Sequence, residues 1–215
     1  MQIQKTTIEK RILKEAENEF REYGFAKASM RRIAARADVS TSNIYNYFKS
    51  KDELFGRVVN PTIKIIDNYF TFMESGNEHK NTQRWSYQAH LEAIEILADF
   101  LDQHRENLKL IAFKSGGSSV EKYKEKLIDR YSEINLQGML LVNKIRPEIK
   151  LGMSEFFIHN ISSLWLNMIT EILMHDVKHG EMLKFLKEMM LFMFYGYEGL
   201  TEYDFSNLKP KPLGQ

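Results

Sequence analysis

The stretch Val39-Ser40-Thr41-Ser42-Asn43-Ile44-Tyr45-Asn46-Tyr47-Phe48-Lys49-Ser50-Lys51 decides how the rest of the chain is read. It gathers small polar residues, two amides, two tyrosines and two lysines into a segment too short to fold alone. The residues before it therefore have to present it. Ile44 and Phe48 lie four apart, which on a helix points both inward and leaves Thr41, Ser42, Asn43, Tyr45, Asn46 and Tyr47 on the other faces. Ser40 is of the type that caps such a helix, because its hydroxyl can accept from a first-turn amide.

Upstream, Ile8, Ile12, Leu13, Ala16 and Phe20 recur at helical spacing between charged residues, and Gly24 follows as a stop signal. Ser29 can cap a second helix through Ala37, with Met30, Ile33, Ala34 and Ala37 apolar and Arg31, Arg32 and Arg36 outward. The small Ala34 and Ala35 are expected to let a neighbouring helix approach closely. Asp38-Val39-Ser40 is the turn between the second and third helices, with Val39 as a plug into the core. Two helices crossing steeply around a short turn, the second rich in exposed polar groups, define a helix-turn-helix. Ser50-Lys51-Asp52-Glu53 then reads as a capping box that opens a fourth helix.

That fourth helix, about 51–74, meets Pro61, which lacks a backbone donor and predicts a kink. Residues 75–81 read as a loop. A helical pattern resumes from Thr82 to Phe113 with a break near His104, and a glycine-serine turn follows. Val120, Tyr123, Leu127, Tyr131, Ile134 and Leu141 then form an apolar stripe that ends at Arg146-Pro147. No segment alternates at period two for long enough to suggest a strand. The expectation is an all-α chain: a three-helix DNA-binding domain over 1–50 and a larger helical ligand-binding and dimerisation domain over 51–215, with the fourth helix as connector.

Composition narrows the function. A chain of 215 residues with 43% hydrophobic content can bury a sizeable core, and the absence of cysteine excludes disulfides and thiolate metal sites. No apolar run is long enough to span a membrane and no leader is evident, so a soluble, cytoplasmic protein is expected. The net charge of +1 conceals an asymmetry: residues 1–50 hold ten Lys/Arg against six Asp/Glu, or +4, which leaves −3 for the remainder. Between Phe25 and Lys51, the cations Lys27, Arg31, Arg32, Arg36, Lys49 and Lys51 face only Asp38. Such a patch suits a phosphate-bearing partner.

The last two helices, about 154–174 and 181–197, are apolar over so much of their circumference that they are expected to be buried on two sides. One side can face the chain's own domain and the other a twin, giving a two-fold four-helix interface through Phe157, Ile161, Trp165, Met168, Leu186, Met189 and Met193. Catalysis has little to rest on. His175 and His179 stand four apart near Asp176, but a polar context beside Gly180 places them at a helix end, and no His-Glu-x-x-His signature occurs. Neither a metal nor a cofactor is expected.

Gly24-Phe25, Ser29-Met30-Arg31-Arg32-Ile33-Ala34, Ala37-Asp38-Val39-Ser40, Ile44-Tyr45-Asn46-Tyr47-Phe48 and Lys51-Asp52-Glu53-Leu54-Phe55 together resemble the N-terminal domain of TetR/AcrR-family transcriptional regulators. The resemblance is continuous over about fifty residues; beyond it only length, helical pattern and apolar final helices are shared. It implies a homodimeric, ligand-responsive regulator, usually a repressor. Such a dimer binds an inverted-repeat operator in double-stranded DNA and is released when a small apolar or amphipathic effector enters the C-terminal domain. Thr41, Ser42 and Asn46 match family positions that contact bases; Ser29, Tyr45, Tyr47 and Lys51 match positions that contact phosphate. In relatives the middle helices enclose an apolar pocket, for which Trp85, Tyr87, Phe100, Phe113, Tyr123, Tyr131 and Trp165 are the aromatic candidates here. A helical interaction module that does not bind DNA is the competing reading, and a metal-dependent enzyme a more distant one.

Overall fold

A computed structural model describes residues 2–75, 87–145 and 152–201. Among these residues all regular structure is helical: α1 (Gln2–Lys27), α2 (Met30–Arg36), α3 (Thr41–Tyr45), α4 (Lys51–Glu74), α5 (Tyr87–Gln103), α6 (Arg105–Phe113), α7 (Tyr123–Ile145), α8 (Glu155–Met174) and α9 (His179–Thr201). No described helix is long and apolar enough to cross a membrane. The chain forms two compact units, one of Met1–Asp67 with His104–Glu125 and the other of Asn68–Gln103 with Lys126–Gln215.

The first unit is organised by the stripe predicted on α1. Ile12, Ala16 and Phe20 are fully buried and meet Ile33, Ala34, Ile44, Phe48, Leu54 and Phe55 in one core. Its centre is an aromatic cluster in which Phe55 stands edge-on to Phe20, with centroids 4.9 Å apart, and to Phe25 at 5.3 Å. Contacts of this geometry add about 0.5–1.5 kcal/mol each beyond area burial. Gly24 takes φ 72° and ψ 167°, a conformation a side chain would strain, and this breaks α1 so that the Phe25 amide donates to the Lys114 carbonyl at 2.8 Å. The α6 helix is thereby held against α1. It also meets the first half of α4, where the Asn107 amide donates to the Thr62 hydroxyl at 3.2 Å and the Val58 carbonyl at 3.4 Å.

Two details differ from expectation, at Ala35 and at Glu53. Ala35 is exposed, so close approach of the helices rests on Ala34 alone, which is 2% exposed. Pro61 lies inside α4, which runs as one helix from Lys51 to Glu74. Glu53 completes its cap one residue early: the Ser50 hydroxyl accepts from the Glu53 amide at 3.0 Å, while the Glu53 carboxylate accepts from the Lys49 amide at 2.7 Å. The predicted break at His104 is present between α5 and α6. The loop over 76–81, the helix start at Thr82 and the stop at Arg146-Pro147 lie outside the described residues.

In the second unit, Ile94, Ala98, Leu101, Ile134, Val142, Ile158, Ile172, Met182 and Leu186 are buried. The Asn135 amide donates to the Ser162 hydroxyl at 3.0 Å and so ties α7 to α8. His179 at the start of α9 reaches Asp102 of α5 at 2.9 Å. His175 pairs instead with Glu171 at 3.2 Å, so the two histidines serve separate carboxylates. No group of three or more potential metal ligands occurs among the described residues.

Two of the residues assigned to a dimer face, Met168 at 9% and Leu186 at 1% exposure, are buried within a single chain and belong to this unit's own core. The stripe that carries them is an inward stripe. Phe157, Ile161, Trp165, Met189 and Met193 are half-buried. The apolar side chains that α8 and α9 expose are others: Phe156, Leu164, Met174, Phe192, Tyr195 and Leu200.

Candidate nucleic-acid interface

The turn that sets α3 against α2 is built by local backbone chemistry. Asp38 adopts φ 52°, and the Val39 amide donates to the Ala34 carbonyl at 3.1 Å while the Asp38 amide donates to the Ala35 carbonyl at 3.3 Å. That is a Schellman ending, with an aspartate where glycine is commonest; Asp tolerates the left-handed region better than most residues. Val39, half-buried, packs on the core as expected.

Ser40 then caps α3, its hydroxyl accepting from the Asn43 amide at 3.1 Å and meeting the Ser42 hydroxyl at 3.0 Å. Such a cap stabilises by about 1 kcal/mol, which matters for a helix of only five residues. Fully buried Ile44 and Phe48, 1% exposed, anchor it. Ser42 and Asn46 are exposed, Thr41 is half-buried, and Tyr45 is 49% exposed. The Asn46 amide donates to the Asn43 side-chain oxygen at 3.3 Å, leaving its own oxygen and a second N–H for another partner. Tyr47 is turned inward more than the spacing suggested, packing partly on the core.

Lys51 has contacts within the chain that its sequence position did not suggest. Its ammonium donates to the Ala26 and Ala28 carbonyls, both at 3.3 Å, and sits 4.6 Å from the centre of the Phe25 ring. It therefore fastens the start of α4 to the α1–α2 turn as well as placing a positive charge there.

One residue that organises this surface was not singled out from the sequence. Glu19 is completely buried, and its carboxylate accepts from the Ser29 amide and from Arg32 Nε, each at 2.8 Å. Its other oxygen lies 3.5 Å from an Arg36 nitrogen. A carboxylate at the N-terminus of α2 also complements the free amides and dipole there. Ser29, half-buried, is thus held by its backbone while its hydroxyl accepts from the Arg32 amide at 3.5 Å. The signal was present: Glu19 falls three residues after Ala16, on the same buried stripe. Arg36 also pairs with Glu22 at 3.2 Å, and Arg32 stacks 4.2 Å from the Tyr23 ring centre. Hydrogen bonds from Tyr23 first and Arg36 second hold the Glu22 carboxyl below its ordinary value. The basic patch counted from the sequence is therefore partly neutralised.

The pocket candidates divide between the two units. Phe113, 41% exposed, and Tyr123, whose hydroxyl donates to Asp67 at 2.9 Å, belong to the first unit. Phe100, Tyr131 and Trp165, all half-buried, belong to the second. Trp85 and the side chain of Tyr87 lie outside the described residues.

A capped recognition helix with exposed amide and hydroxyl groups, set behind a tight turn on a basic three-helix core, defines a helix-turn-helix DNA-binding protein. Residues 12–58 match the family model described as bacterial regulatory proteins, tetR family. The uncharacterized HTH-type transcriptional regulator YdgC of Bacillus subtilis (strain 168) is 26% identical over 174 residues, covering 79% of this chain and 77% of that protein. Among solved structures, NalD, the secondary repressor of the MexAB-OprM multidrug efflux pump in Pseudomonas aeruginosa, is similar with TM-score 0.60 at 20% identity over 92% of this chain and 98% of that one. FadR from Bacillus subtilis in complex with stearoyl-CoA is similar with TM-score 0.52 at 17% identity over 82% and 96%. These two structural likenesses concern the fold. Residues 12–58 thus carry the match to the tetR-family domain, and most of the chain is similar in sequence to an HTH-type transcriptional regulator.

Proposed function

We propose that the protein is a repressor that binds a palindromic operator as a homodimer and leaves it when a small apolar or amphipathic effector binds. The observation that carries this reading is the exposed pair Ser42 and Asn46 on a helix otherwise fixed by Ser40, Ile44 and Phe48. Such groups are held for an outside partner, and major-groove base edges supply complementary donors and acceptors. Thr41, Ser42 and Asn46 read bases; Ser29, Tyr45, Tyr47 and Lys51 hold phosphates. Residues 1–50 carry recognition and 51–215 carry effector binding and dimerisation, in a protein that works in the cytoplasm.

Two-fold pairing follows from the apolar residues that α8 and α9 expose, with Phe156, Leu164, Phe192 and Tyr195 foremost. A two-fold protein prefers a two-fold site with half-sites about 34–36 Å apart. The effector class is supported by FadR, solved with stearoyl-CoA, and by NalD, a repressor of a multidrug efflux pump. Because α4 runs from one compact unit into the other, effector binding would act by biasing its position and making the DNA-fitting arrangement the minor state.

The test is selection of bound sequences from a random duplex pool by the purified protein. An inverted repeat with an A·T pair facing Asn46 is expected in each half-site. Recovery of no enriched motif would overturn the reading in favour of a helical interaction module.

A further inference from the structure

Helix α2 carries three arginines, but they do not share one environment. Arg32 and Arg36 stand four apart and so lie on one face of the helix, the face that meets α1. Arg32 is bound to Glu19 through Nε at 2.8 Å and through a second nitrogen at 2.5 Å. Arg36 is bound to Glu22 at 3.2 Å and faces Glu19 at 3.5 Å. Arg31 is exposed and lies on another face, with exposed Ala35 four residues on.

The two clamped arginines are nevertheless still on the surface, with side chains 44% and 37% exposed. They belong to the same small unit as the recognition row. Unpaired, they would add to the field that draws DNA phosphates within a Debye length of about 8–10 Å. Phosphate contacts contribute affinity without sequence information. An arginine already matched to a carboxylate releases no counterion on meeting DNA, and the carboxylate beside it repels the phosphate.

We propose that Glu19 and Glu22 withhold Arg32 and Arg36 from DNA phosphates and thereby raise the ratio of operator binding to nonspecific binding. This rests on the reading of the unit as a DNA-binding domain. The two acids act differently. Glu19 is buried, so its charge has to be matched by Arg32 for the fold to be stable. Glu22 is 53% exposed, so its hold on Arg36 can be removed without disturbing the core.

The experiment measures binding of a labelled mixed-sequence duplex between about 50 and 200 mM salt for the full-length wild type, Glu22→Gln, Arg36→Gln and the double variant. Glu22→Gln is expected to bind this duplex more tightly at low salt. Its salt slope should steepen by up to about 0.9 per DNA-binding unit, an additional fall of up to roughly 3.5-fold across that range, with Glu19 still beside Arg36. In the Arg36→Gln background, Glu22→Gln should change the slope by nothing. Glu19→Gln, which keeps an acceptor for the Ser29 amide, should steepen the slope through Arg32, with thermal unfolding used to verify that it is folded. An unchanged slope in folded Glu22→Gln and Glu19→Gln overturns the inference. So does an equal effect of Glu22→Gln with and without Arg36, which would make it a matter of net charge alone. A wild type that binds no duplex at any salt overturns the DNA-binding reading itself.

Discussion

The Lys51 ammonium lies 4.6 Å from the centre of the Phe25 ring and within 3.3 Å of the Ala26 and Ala28 carbonyl oxygens. One cation at the first residue of α4 thus closes the turn between α1 and α2, the turn that leads into the first helix of the helix-turn-helix. Charged hydrogen bonds and a cation over an aromatic face both stabilise.

Lys51→Ala should therefore lower the unfolding free energy by about 1–2 kcal/mol, read from the urea midpoint. It should also weaken binding to operator and random duplex by the same factor and flatten the salt slope by up to about 0.9 per DNA-binding unit. A loss of stability with the salt slope intact would confine Lys51 to holding the turn.

Asn46 carries a different expectation, because its partner Asn43 restrains the amide from one side only. An asparagine that bonds adenine N6 and N7 together discriminates by about 1–3 kcal/mol at that pair. Asn46→Ala should relax selection at one position of each half-site and leave the others unchanged. Identical selected sequences from wild type and variant would remove Asn46 from base readout.

Near the end of α4, Arg130 donates to Glu74 at 2.8 Å, and this hydrogen bond holds the Glu74 carboxyl below its ordinary value of 4.5. A carboxyl whose pKa is lower folded than unfolded contributes stability that is fully present above the ordinary value. That contribution is lost as the pH falls through the folded-state value. Arg130→Gln should accordingly lower the urea midpoint at neutral pH, and its difference from wild type should shrink under acid. A difference independent of pH would mean that Arg130 acts through its stacking on Phe70, 5.2 Å away, rather than through Glu74.

How much of this was legible follows from what each residue depends on. Caps at Ser29, Ser40 and Ser50, the stop at Gly24 and the anchors Ile44 and Phe48 are local matters, set by residues a few positions apart, and their spacing revealed them. The pairing of Glu19 with Arg32 spans thirteen positions, and only the stripe position of Glu19 hinted at it. Lys51 bonding carbonyls 25 and 23 positions earlier has no sequence signature, since backbone acceptors exist everywhere. The aromatic candidates for a pocket divide between the two units, Phe113 and Tyr123 in one and Phe100, Tyr131 and Trp165 in the other, because hydrophobicity does not say which of two cores a side chain serves.

The same reasoning separates interior from exposed apolar residues on the last two helices. Helical stripes place Met182 and Leu186 on one side of α9, both buried, and Phe192 with Tyr195 on another, 65% and 43% exposed. On α8, Phe156 and Leu164 are eight apart and so lie on one face, exposed by 77% and 41%. Aromatic side chains of this exposure are costly in water, and burying one fully is worth about 1.5–3 kcal/mol. If this face joins two copies, Phe156→Asp with Phe192→Asp should yield a folded monomer by sedimentation equilibrium. Operator affinity should collapse while weak binding to a single half-site persists, since each recognition helix is intact. The buried positions give the control: Leu186→Ala should cost about 2–5 kcal/mol of stability without selectively dissociating the dimer. A Phe156→Asp, Phe192→Asp protein that sediments as wild type would move the interface off this face.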